Sequence, residues 1–191
     1  MATTNPNMLS GVNVLVGVGA GIAAYKTCQL VSRLAQSGAS VTVAMTESAT
    51  RFVTPLTFQA LSGRPVYTSA WEHIESADPQ HVSLARNCQV AIVAPCTMDL
   101  MAKLAMGRCD DVVTLILSAI DRARTPVLLA PAMNAAMWGQ PSTQRNLVTL
   151  KSDGFGIVGP DEGWQACRTS GPGRMSEPDA LFDAVVAAIK R

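Results

Sequence analysis

The stretch VNVLVGVGAGIAAYK, residues 12–26, decides the fold. Its first seven residues are mostly apolar and β-branched, which predicts a buried strand, and the pattern from Ile22 to Gln36 then predicts a helix. Glycines join the two elements. Glycine lets a backbone approach a phosphate closely, and a helix N terminus supplies free N–H groups. The segment therefore predicts a nucleotide-binding turn, although a plain tight turn explains this stretch equally well when it is considered alone.

The rest of the chain repeats this alternation of strands and helices. Further strands are predicted at residues 40–45, 89–94, 126–130 and 156–158. Further helices are predicted at residues 53–62, 81–86, 98–105, 111–120 and 178–189, and one more between the 126–130 strand and about residue 150. Such alternation predicts one α/β domain over residues 1–191, with a doubly wound parallel sheet in a Rossmann- or flavodoxin-like three-layer α/β/α arrangement. Residues 1–10 are expected to be a polar extension, residues 71–80 irregular, and the Gly- and Pro-rich residues 159–173 a long irregular loop.

Composition narrows the class of protein. The 191 residues carry a formal net charge of +1 without a basic run, which argues against nucleic-acid binding. Five cysteines without a CxxC pair indicate a reducing compartment, and His73 and His81 leave too few ligands for a zinc site. No signal peptide or membrane-length apolar run is present, so we expect a cytoplasmic protein. A hydrophobic content of 48% with 15% charged residues suggests oligomer interfaces.

The glycine turn is not the fingerprint of a dinucleotide site. By spacing from Gly17 and Gly19, the third glycine position falls on Ile22. The second predicted strand ends in Met45-Thr46-Glu47, so the acidic residue that would bind a ribose is poorly placed. The hydroxyls of Thr46 and Ser48 suit a phosphate instead. The pattern favours a mononucleotide such as FMN.

Two further segments follow predicted strands and should end at the same edge of the sheet. The segment APCTMDL, residues 94–100, places small and hydroxyl-bearing residues before a helix, where backbone N–H groups could bind a flavin ring or a phosphate; helix capping by Thr97 or Asp99 is the simpler interpretation. The second segment is PAMNAAMW, residues 131–138. Two methionines and a tryptophan around Asn134 suit a flat, mostly apolar ligand with one polar group, although Asn134 could also simply cap a helix.

Two residues are candidates for proton transfer. His81 opens a short predicted helix and could reach the carboxyl edge of the sheet, where a histidine can act as a base near neutral pH. Cys167 lies in the Gly-rich loop beside Arg168, unlike an ordinary buried cysteine, and such a loop can close over a ligand and deliver a proton donor. A structural histidine and a passive loop cysteine are the alternatives. Cys28, Cys88 and Cys109 lie in apolar or helical contexts typical of core residues.

Taken together and in this order, these segments resemble the flavin-dependent cysteine decarboxylases, in particular the branch that acts on 4′-phosphopantothenoylcysteine in coenzyme A biosynthesis. The resemblance extends from about Val12 to Ala187. Its most specific parts are residues 131–138, the HVSLAR segment at residues 81–86, and the AC…GPGRM segment at residues 166–175, which the resemblance identifies as part of a substrate flap over residues 159–175.

The resemblance implies a role for each matching residue. His81 and Cys167 would be catalytic, as base and proton donor, and no metal would take part. The substrate would contact Asn134, which binds its carboxylate, and Met133, Trp164, Gln165 and Ala166. FMN would be held by Ala20, Gly21, Ile22, Thr46 or Ser48, Thr97, Met98, Asp99, Leu100 and Ala132.

The resemblance also implies the chemistry and the partners. FMN would oxidise the thiol carbon of 4′-phosphopantothenoylcysteine to a thioaldehyde, CO2 would leave, and re-reduction with a proton from Cys167 would give 4′-phosphopantetheine. The family's substrate site is shared between the subunits of a trimer, so a homotrimer or an assembly of trimers is expected. The substrate-making ligase, a second domain in many bacterial relatives, is expected to be absent or on a separate polypeptide.

Two features depart from the family pattern. Gly19 and Ala20 stand where hydroxyl-bearing residues are usual, which leaves fewer hydroxyls for the FMN phosphate, and Arg168 replaces the glycine that normally follows the flap cysteine. The alternatives are a peptidyl-cysteine oxidative decarboxylase, whose flap lacks a reducing cysteine, and a flavin prenyltransferase, which lacks the PxMNxxMW pattern. A flavin-binding regulatory subunit would carry an acidic tail, whereas this sequence ends in Lys190-Arg191.

Overall fold

The computed structural model describes residues 7–72 and 79–190. Within these residues the core is a six-stranded sheet in which every pairing is parallel, with the order β3-β2-β1-β4-β5-β6. The strands are β1 (Asn13–Val18), β2 (Ser40–Met45), β3 (Val66–Tyr67), β4 (Val90–Cys96), β5 (Val127–Pro131) and β6 (Gly156–Ile157). This is the strand order of the Rossmann fold, and it confirms the predicted fold class.

Helices cover both faces of the sheet. One layer consists of α1 (Ala24–Gln36), α2 (Pro55–Ser62) and α8 (Pro178–Ile189); the other consists of α3 (Gln80–Asn87), α4 (Met98–Ala105), α5 (Val112–Ser118) and α7 (Pro141–Ser152). Alternate residues of each strand pack against opposite helix layers: Val14 and Val16 pack against the first layer, and Leu15 packs against the second. Because both faces are buried, the central strands are almost continuously apolar.

The order of the elements brings several helix N termini to one edge of the sheet. The chain leaves β1 to enter α1, leaves β4 to enter α4, and leaves β5 to enter the short helix α6 (Ala135–Trp138). Parallel strands end at the same edge, so these three connections are neighbours. The chain turns one way from β1 to β2 and the other way from β4 to β5, and ligands of doubly wound folds bind at this switch point.

The expectation of an irregular loop over residues 159–173 was wrong. This segment forms an antiparallel hairpin of β7 (Asp161–Trp164) and β8 (Ser170–Arg174), in which Asp161 pairs with Arg174 and Trp164 with Ser170. Both strands are rich in glycine, proline or charged residues and lack apolar alternation. Backbone pairing and contacts with the rest of the protein, rather than strand propensity, therefore form this hairpin.

Other boundaries also differ from the prediction. The helix expected after β5 is divided into α6 and α7, because Pro141 begins a new helix at its first position. The two-residue strand β3 and a 3-10 turn at Glu47–Arg51 were not predicted. Both are too short for a periodic pattern to reveal them.

Some predictions fall outside the described residues. These are His73, most of the irregular stretch predicted at 71–80, and residues 1–6 of the predicted N-terminal extension. The last part of that extension packs against the core, because Leu9 is only 3% exposed and its N–H donates to Ser37 O at 2.8 Å. Over residues 7–72 and 79–190, no helix is long and apolar enough to cross a membrane, and no cluster of His, Cys, Asp or Glu side chains is arranged to hold a metal ion.

Candidate functional site

A cavity of about 560 Å³ opens at the carboxyl edge of the sheet. Its wall is made by four segments: the turn between β1 and α1, the start of α4, the chain from Ala132 to Met137, and the β7–β8 hairpin. The volume lies within the range of about 300–1,000 Å³ that is typical of small-molecule sites. Met98, Met133, Met137 and Met175 make much of the wall apolar.

The turn after β1 approaches the end of β4 so closely that a side chain would not fit. Gly19 donates its N–H to Pro95 O at 3.1 Å. A Cβ atom on Gly19 would overlap this carbonyl oxygen and lie 2.7 Å from Leu100 Cδ1. The buried Thr27 hydroxyl donates to Ala94 O at 2.7 Å and fixes α1 to the same strand end. The turn is therefore held rigidly between β1 and β4.

This rigid turn leaves backbone donors facing the cavity. The N–H groups of Ala20, Gly21 and Ile22 donate to no other group within the described part of the chain, and all three residues line the cavity. No side chain caps α1. Free N–H groups at a helix N terminus, together with the helix dipole, form a site for a phosphate or another anion.

The start of α4 contributes a second helix N terminus. Thr97 Oγ1 accepts a hydrogen bond from Leu100 N–H at 3.2 Å, which confirms that Thr97 caps this helix, and Thr97 and Met98 line the cavity. Asp99 and Leu100 do not line it. Asp99 forms an ion pair with Lys103 at 3.3 Å, and Leu100 is buried in the core.

Asn134 both caps a helix and lines the cavity. Its Oδ1 atom accepts the Met137 N–H at 2.8 Å, which starts α6 directly after β5. The Asn134 Nδ2 group donates to no other group among the described residues. The two interpretations of Asn134 are therefore compatible, because one end of its amide holds the helix and the other can donate to a bound carboxylate.

The β7–β8 hairpin lies over this segment. Met133 N–H donates to Gly173 O at 2.9 Å. A Cβ atom on Gly173, whose φ is +113°, would overlap Met133 O, and one on Gly171 would lie 2.9 Å from Ala135 Cβ. Glycine at these two positions lets the backbone of β8 pack directly against the chain that carries Asn134.

The tip of the hairpin carries Cys167 to the cavity. Trp164, Gln165, Ala166 and Cys167 all line it. The Cys167 thiol is exposed, whereas burial raises the pKa of Cys88 to about 11 and raises that of the fully buried Cys96 further. A buried thiol with a raised pKa is a poor proton donor or nucleophile. Of the five cysteines, all of which lie in the described residues, Cys167 is the one that lines the cavity. Cys109 is exposed, so the prediction that it is a core residue was wrong.

Two cations in the cavity wall were missed by the sequence analysis. Lys26 Nζ contacts Glu177 Oε1 at 2.8 Å, and Arg174 forms an ion pair with the same carboxylate. Hydrogen bonding from Lys26, with a smaller contribution from Arg174, holds the pKa of Glu177 below its usual range. Lys26 could have been found, since it lies four residues after Ile22 and therefore on the same helix face. Arg174 belongs to the GPGRM motif that the resemblance places in the substrate flap, and the β7–β8 hairpin brings it to the cavity.

The structure gathers most of the predicted site residues at this cavity, but not all of them. Those that line it are Ala20, Gly21, Ile22, Thr97, Met98, Ala132, Met133, Asn134, Trp164, Gln165, Ala166 and Cys167; those that do not are Thr46, Ser48, His81, Asp99 and Leu100. Thr46 lies beside the glycine turn, because its N–H donates to Val18 O at 3.1 Å, but its hydroxyl accepts the Ala49 N–H. His81 is half-buried at the start of α3.

The residues present fit a flavin mononucleotide in two respects. The cradle of free N–H groups suits a phosphate, and the methionine-rich wall suits a flat ring system. The fold and the cavity together define a cofactor-binding α/β protein of the doubly wound class.

Comparison with known proteins identifies the family. The model of the family described as Flavoprotein matches residues 2–190, so the chain belongs to the flavoprotein family and its cofactor is a flavin. This confirms the resemblance drawn from the sequence.

Curated relatives are longer than this chain. It is 46% identical over 174 residues to the coenzyme A biosynthesis bifunctional protein CoaBC of Bacillus subtilis, and 46% identical over 179 residues to the protein of the same name from Escherichia coli K12. These matches cover 91% and 94% of this chain but 42% and 43% of the relatives. The chain thus spans less than half the length of the curated relatives that it matches.

Solved structures share the whole fold. A cysteine-to-serine mutant of a PPC decarboxylase, complexed with pantothenoylaminoethenethiol, matches with a TM-score of 0.82 at 28% identity, over 94% of this chain and 99% of that one. The FMN-dependent cysteine decarboxylase SpaF matches with a TM-score of 0.81 at 27% identity, over 95% of this chain and 99% of that one.

Proposed function

We propose that this chain catalyses the FMN-dependent decarboxylation of 4′-phosphopantothenoylcysteine to 4′-phosphopantetheine, a step of coenzyme A biosynthesis. One observation carries the proposal: a single cavity brings together the phosphate cradle of Ala20–Ile22, the amide of Asn134 and the thiol of Cys167. The names of the CoaBC relatives and the PPC decarboxylase structure support the pathway and the substrate. The FMN-dependent structural relative supports FMN as the flavin.

Decarboxylation of a cysteine carboxylate needs a place for the electrons left by CO2. When bound, FMN supplies two-electron chemistry at the thiol-bearing carbon, which converts that carbon to a thioaldehyde able to accept these electrons and later restores it. The overall reaction replaces the carboxylate by a proton and involves no net oxidation. The protein must therefore bind the carboxylate, exclude water and provide the proton.

Asn134 is suited to bind the substrate carboxylate. Asn134 lines the cavity, and its Oδ1 atom is held by the Met137 N–H at 2.8 Å and cannot turn away without uncapping α6, which leaves the Nδ2 group to donate to a ligand. The donor is therefore oriented before the substrate arrives. A hydrogen bond to a charged group contributes about 1.5–3 kcal/mol.

Cys167 is suited to provide the proton for the reductive half of the reaction. The hairpin places Cys167 at the cavity, beside the apolar side chains of Trp164 and Met133 in the same wall. The proton leaves the Sγ atom, and the product retains it in place of the departed carboxylate. A peptidyl-cysteine decarboxylase that stops at the oxidised product would not need this thiol.

Assembly into trimers would give His81 a place at the cavity of a neighbouring subunit. His81 lies outside the cavity of its own chain, and Phe52, Leu56 and Met106, which do not line the cavity either, expose 51%, 71% and 81% of their surface. Covering such residues favours association. We propose that the chain is cytoplasmic and forms a homotrimer or an assembly of trimers, with His81 acting as a base at a neighbour's cavity. A phosphopantothenate–cysteine ligase would supply the substrate.

The test is incubation of the purified, flavin-loaded protein with 4′-phosphopantothenoylcysteine, with products identified by mass spectrometry and the released flavin by chromatography. We expect FMN, CO2 and 4′-phosphopantetheine. Accumulation of only the oxidised ene-thiol would instead indicate a peptide-type decarboxylase. A flavin-loaded protein without turnover would contradict the proposed substrate.

A further inference from the structure

Gln165 is a buried polar residue in an otherwise exposed hairpin tip. It is 8% exposed, whereas its neighbours Trp164, Ala166 and Cys167 are exposed. The resemblance assigned Gln165 to the substrate, which would require a polar atom of its amide to be available to a ligand. Its contacts within the protein indicate a different role.

The protein itself occupies both ends of the Gln165 amide. The Nε2 group donates to Pro172 O at 2.8 Å and to Gly171 O at 3.3 Å, both on β8. The Oε1 atom accepts the Ala135 N–H at 3.1 Å, at the start of α6, and lies 3.6 Å from Cys167 Sγ as the acceptor of its thiol proton. An amide with both donors and its acceptor engaged cannot bind a substrate without breaking these bonds.

These contacts join the two elements that carry Asn134 and Cys167. An isolated two-stranded hairpin is marginally stable, and α6 has only four residues. Both elements therefore depend on contacts with the rest of the protein for their position. The Gln165 side chain bonds to both, and its Oε1 atom lies 3.6 Å from Cys167 Sγ.

We propose that Gln165 is a positioning residue, which locks the closed hairpin onto the start of α6 and directs the Cys167 thiol into the cavity. The proposal deepens the proposed function and rests on it only for its catalytic consequence. Cys167 Sγ also lies 3.0 Å from Thr169 Oγ1. Without Gln165 the thiol would keep only this contact, which belongs to the hairpin itself and does not connect it to Asn134.

The test compares Gln165→Met with wild type, because methionine preserves the length of the side chain and removes its hydrogen bonds. Gln144→Met is the matched control, since Gln144 Nε2 also donates to a backbone carbonyl, that of Trp138 at 2.7 Å, but does not touch the hairpin. Both variants are studied with the flavin bound. Gln165→Glu, which retains an acceptor for the Ala135 N–H, serves as a second variant if Gln165→Met does not fold.

The first readout is independent of catalysis. Hydrogen exchange of the Ala135 amide and of residues 165–174 should become about tenfold faster in Gln165→Met, since local opening depends on these bonds. The rate at which Cys167 is alkylated, followed on its own peptide to separate it from the exposed Cys109, should change in the same variant. Gln144→Met should leave both rates unchanged.

The second readout is the product ratio. Under air, with dissolved oxygen accepting the electrons of the reduced flavin, Gln165→Met should release CO2 but give a higher ratio of oxidised ene-thiol to 4′-phosphopantetheine if Gln165 positions Cys167. A purely structural loss would lower both products together. The proposal would be overturned if Gln165→Met showed the same exchange rates, alkylation rate and product ratio as the wild-type protein. If wild type itself forms no product, the proposed function fails, while exchange and alkylation still decide whether Gln165 holds the hairpin.

Discussion

The two walls of the cavity are built in different ways. The cradle of Ala20–Ile22 lies in the turn directly after β1 and is anchored to the sheet: the adjoining Gly19 bonds to Pro95, and the strands β1 and β4 are buried on both faces. The β7–β8 hairpin is not part of the main sheet. Its position depends on close contacts at two glycines, a backbone hydrogen bond from Met133, the amide of Gln165, and polar contacts of Asp161 and Arg174 with residues 176 and 177.

This difference separates the two tasks of the site. A cofactor that stays bound through many turnovers needs a rigid cradle, and buried parallel strands provide it. A substrate must enter and leave, and a small hairpin held by a few hydrogen bonds can open at a lower free-energy cost than a sheet. Changes in the cradle should therefore affect cofactor binding and stability, and changes in the hairpin should affect turnover.

The largest effect is expected from Gly19→Ala. The new Cβ would overlap Pro95 O, which is backbone and cannot move aside, and would lie 2.7 Å from Leu100 Cδ1. We expect a loss of about 1–3 kcal/mol in the free energy of unfolding and purification without flavin. Absorbance of bound flavin and urea denaturation measure both. Gly139→Ala, whose Cβ would be 3.5 Å from its nearest neighbour, is the control and should retain flavin.

Gly173→Ala should disturb the other wall of the cavity, the β7–β8 hairpin. The added Cβ would overlap Met133 O at a backbone φ of +113°, so the hairpin must shift away from Asn134. We expect flavin to remain bound while kcat/KM falls about a hundredfold, as a misplacement of about 1 Å can cost that much. Loss of flavin together with activity would show that the two walls are not independent.

Asn134→Ser should separate capping from ligand binding. Serine still caps a helix, so the free energy of unfolding should change by less than about 0.5 kcal/mol. The donor facing the cavity is lost, and kcat/KM should fall about tenfold to a hundredfold. Unfolding curves and steady-state kinetics on the same preparations measure the two effects. Unchanged kinetics would leave Asn134 as a helix cap alone.

The smallest effect is expected from Glu177→Gln, at the contact between the two walls. Since the pKa of Glu177 is lowered in the folded protein by Lys26, the carboxylate stabilises the fold above its unfolded pKa of about 4.3, and this contribution disappears as the pH falls through the lowered value. The Glu177 side chain is 51% exposed, so solvent screening limits the effect to about 0.5 kcal/mol. Wild type and variant should differ in urea denaturation at pH 7, and the difference should shrink as the pH falls below about 4.3 and through the lowered pKa of Glu177.

The sheet and the cradle are predictable from the sequence because they follow periodic rules. Buried parallel strands are apolar runs, and parallel strands end at a common edge, so the strand pattern alone brings Ala20, Thr97 and Asn134 together. The hairpin is not predictable in this way. Its strands are short, rich in glycine, and held by contacts with residues 133–135 that are distant in sequence.

Gln165 illustrates why the contacts of the hairpin could not be predicted from the sequence. The sequence places Gln165 next to Cys167, but only the fold shows that its side-chain amide is hydrogen-bonded to the backbone of Ala135, Gly171 and Pro172. Hydrogen bonds between residues that are distant in the chain produce no periodic pattern in the sequence. His81 is a similar case, since a single chain leaves it outside the cavity.

The most direct test of the central claim is the product formed by Cys167→Ser. The claim is that the hairpin carries the proton donor for the reductive half of the reaction. Under air, with dissolved oxygen as the terminal electron acceptor, the variant should release CO2 from 4′-phosphopantothenoylcysteine and accumulate the ene-thiol, which has two hydrogen atoms fewer than 4′-phosphopantetheine. Formation of 4′-phosphopantetheine at the wild-type rate would contradict the account and remove Cys167 from the reaction.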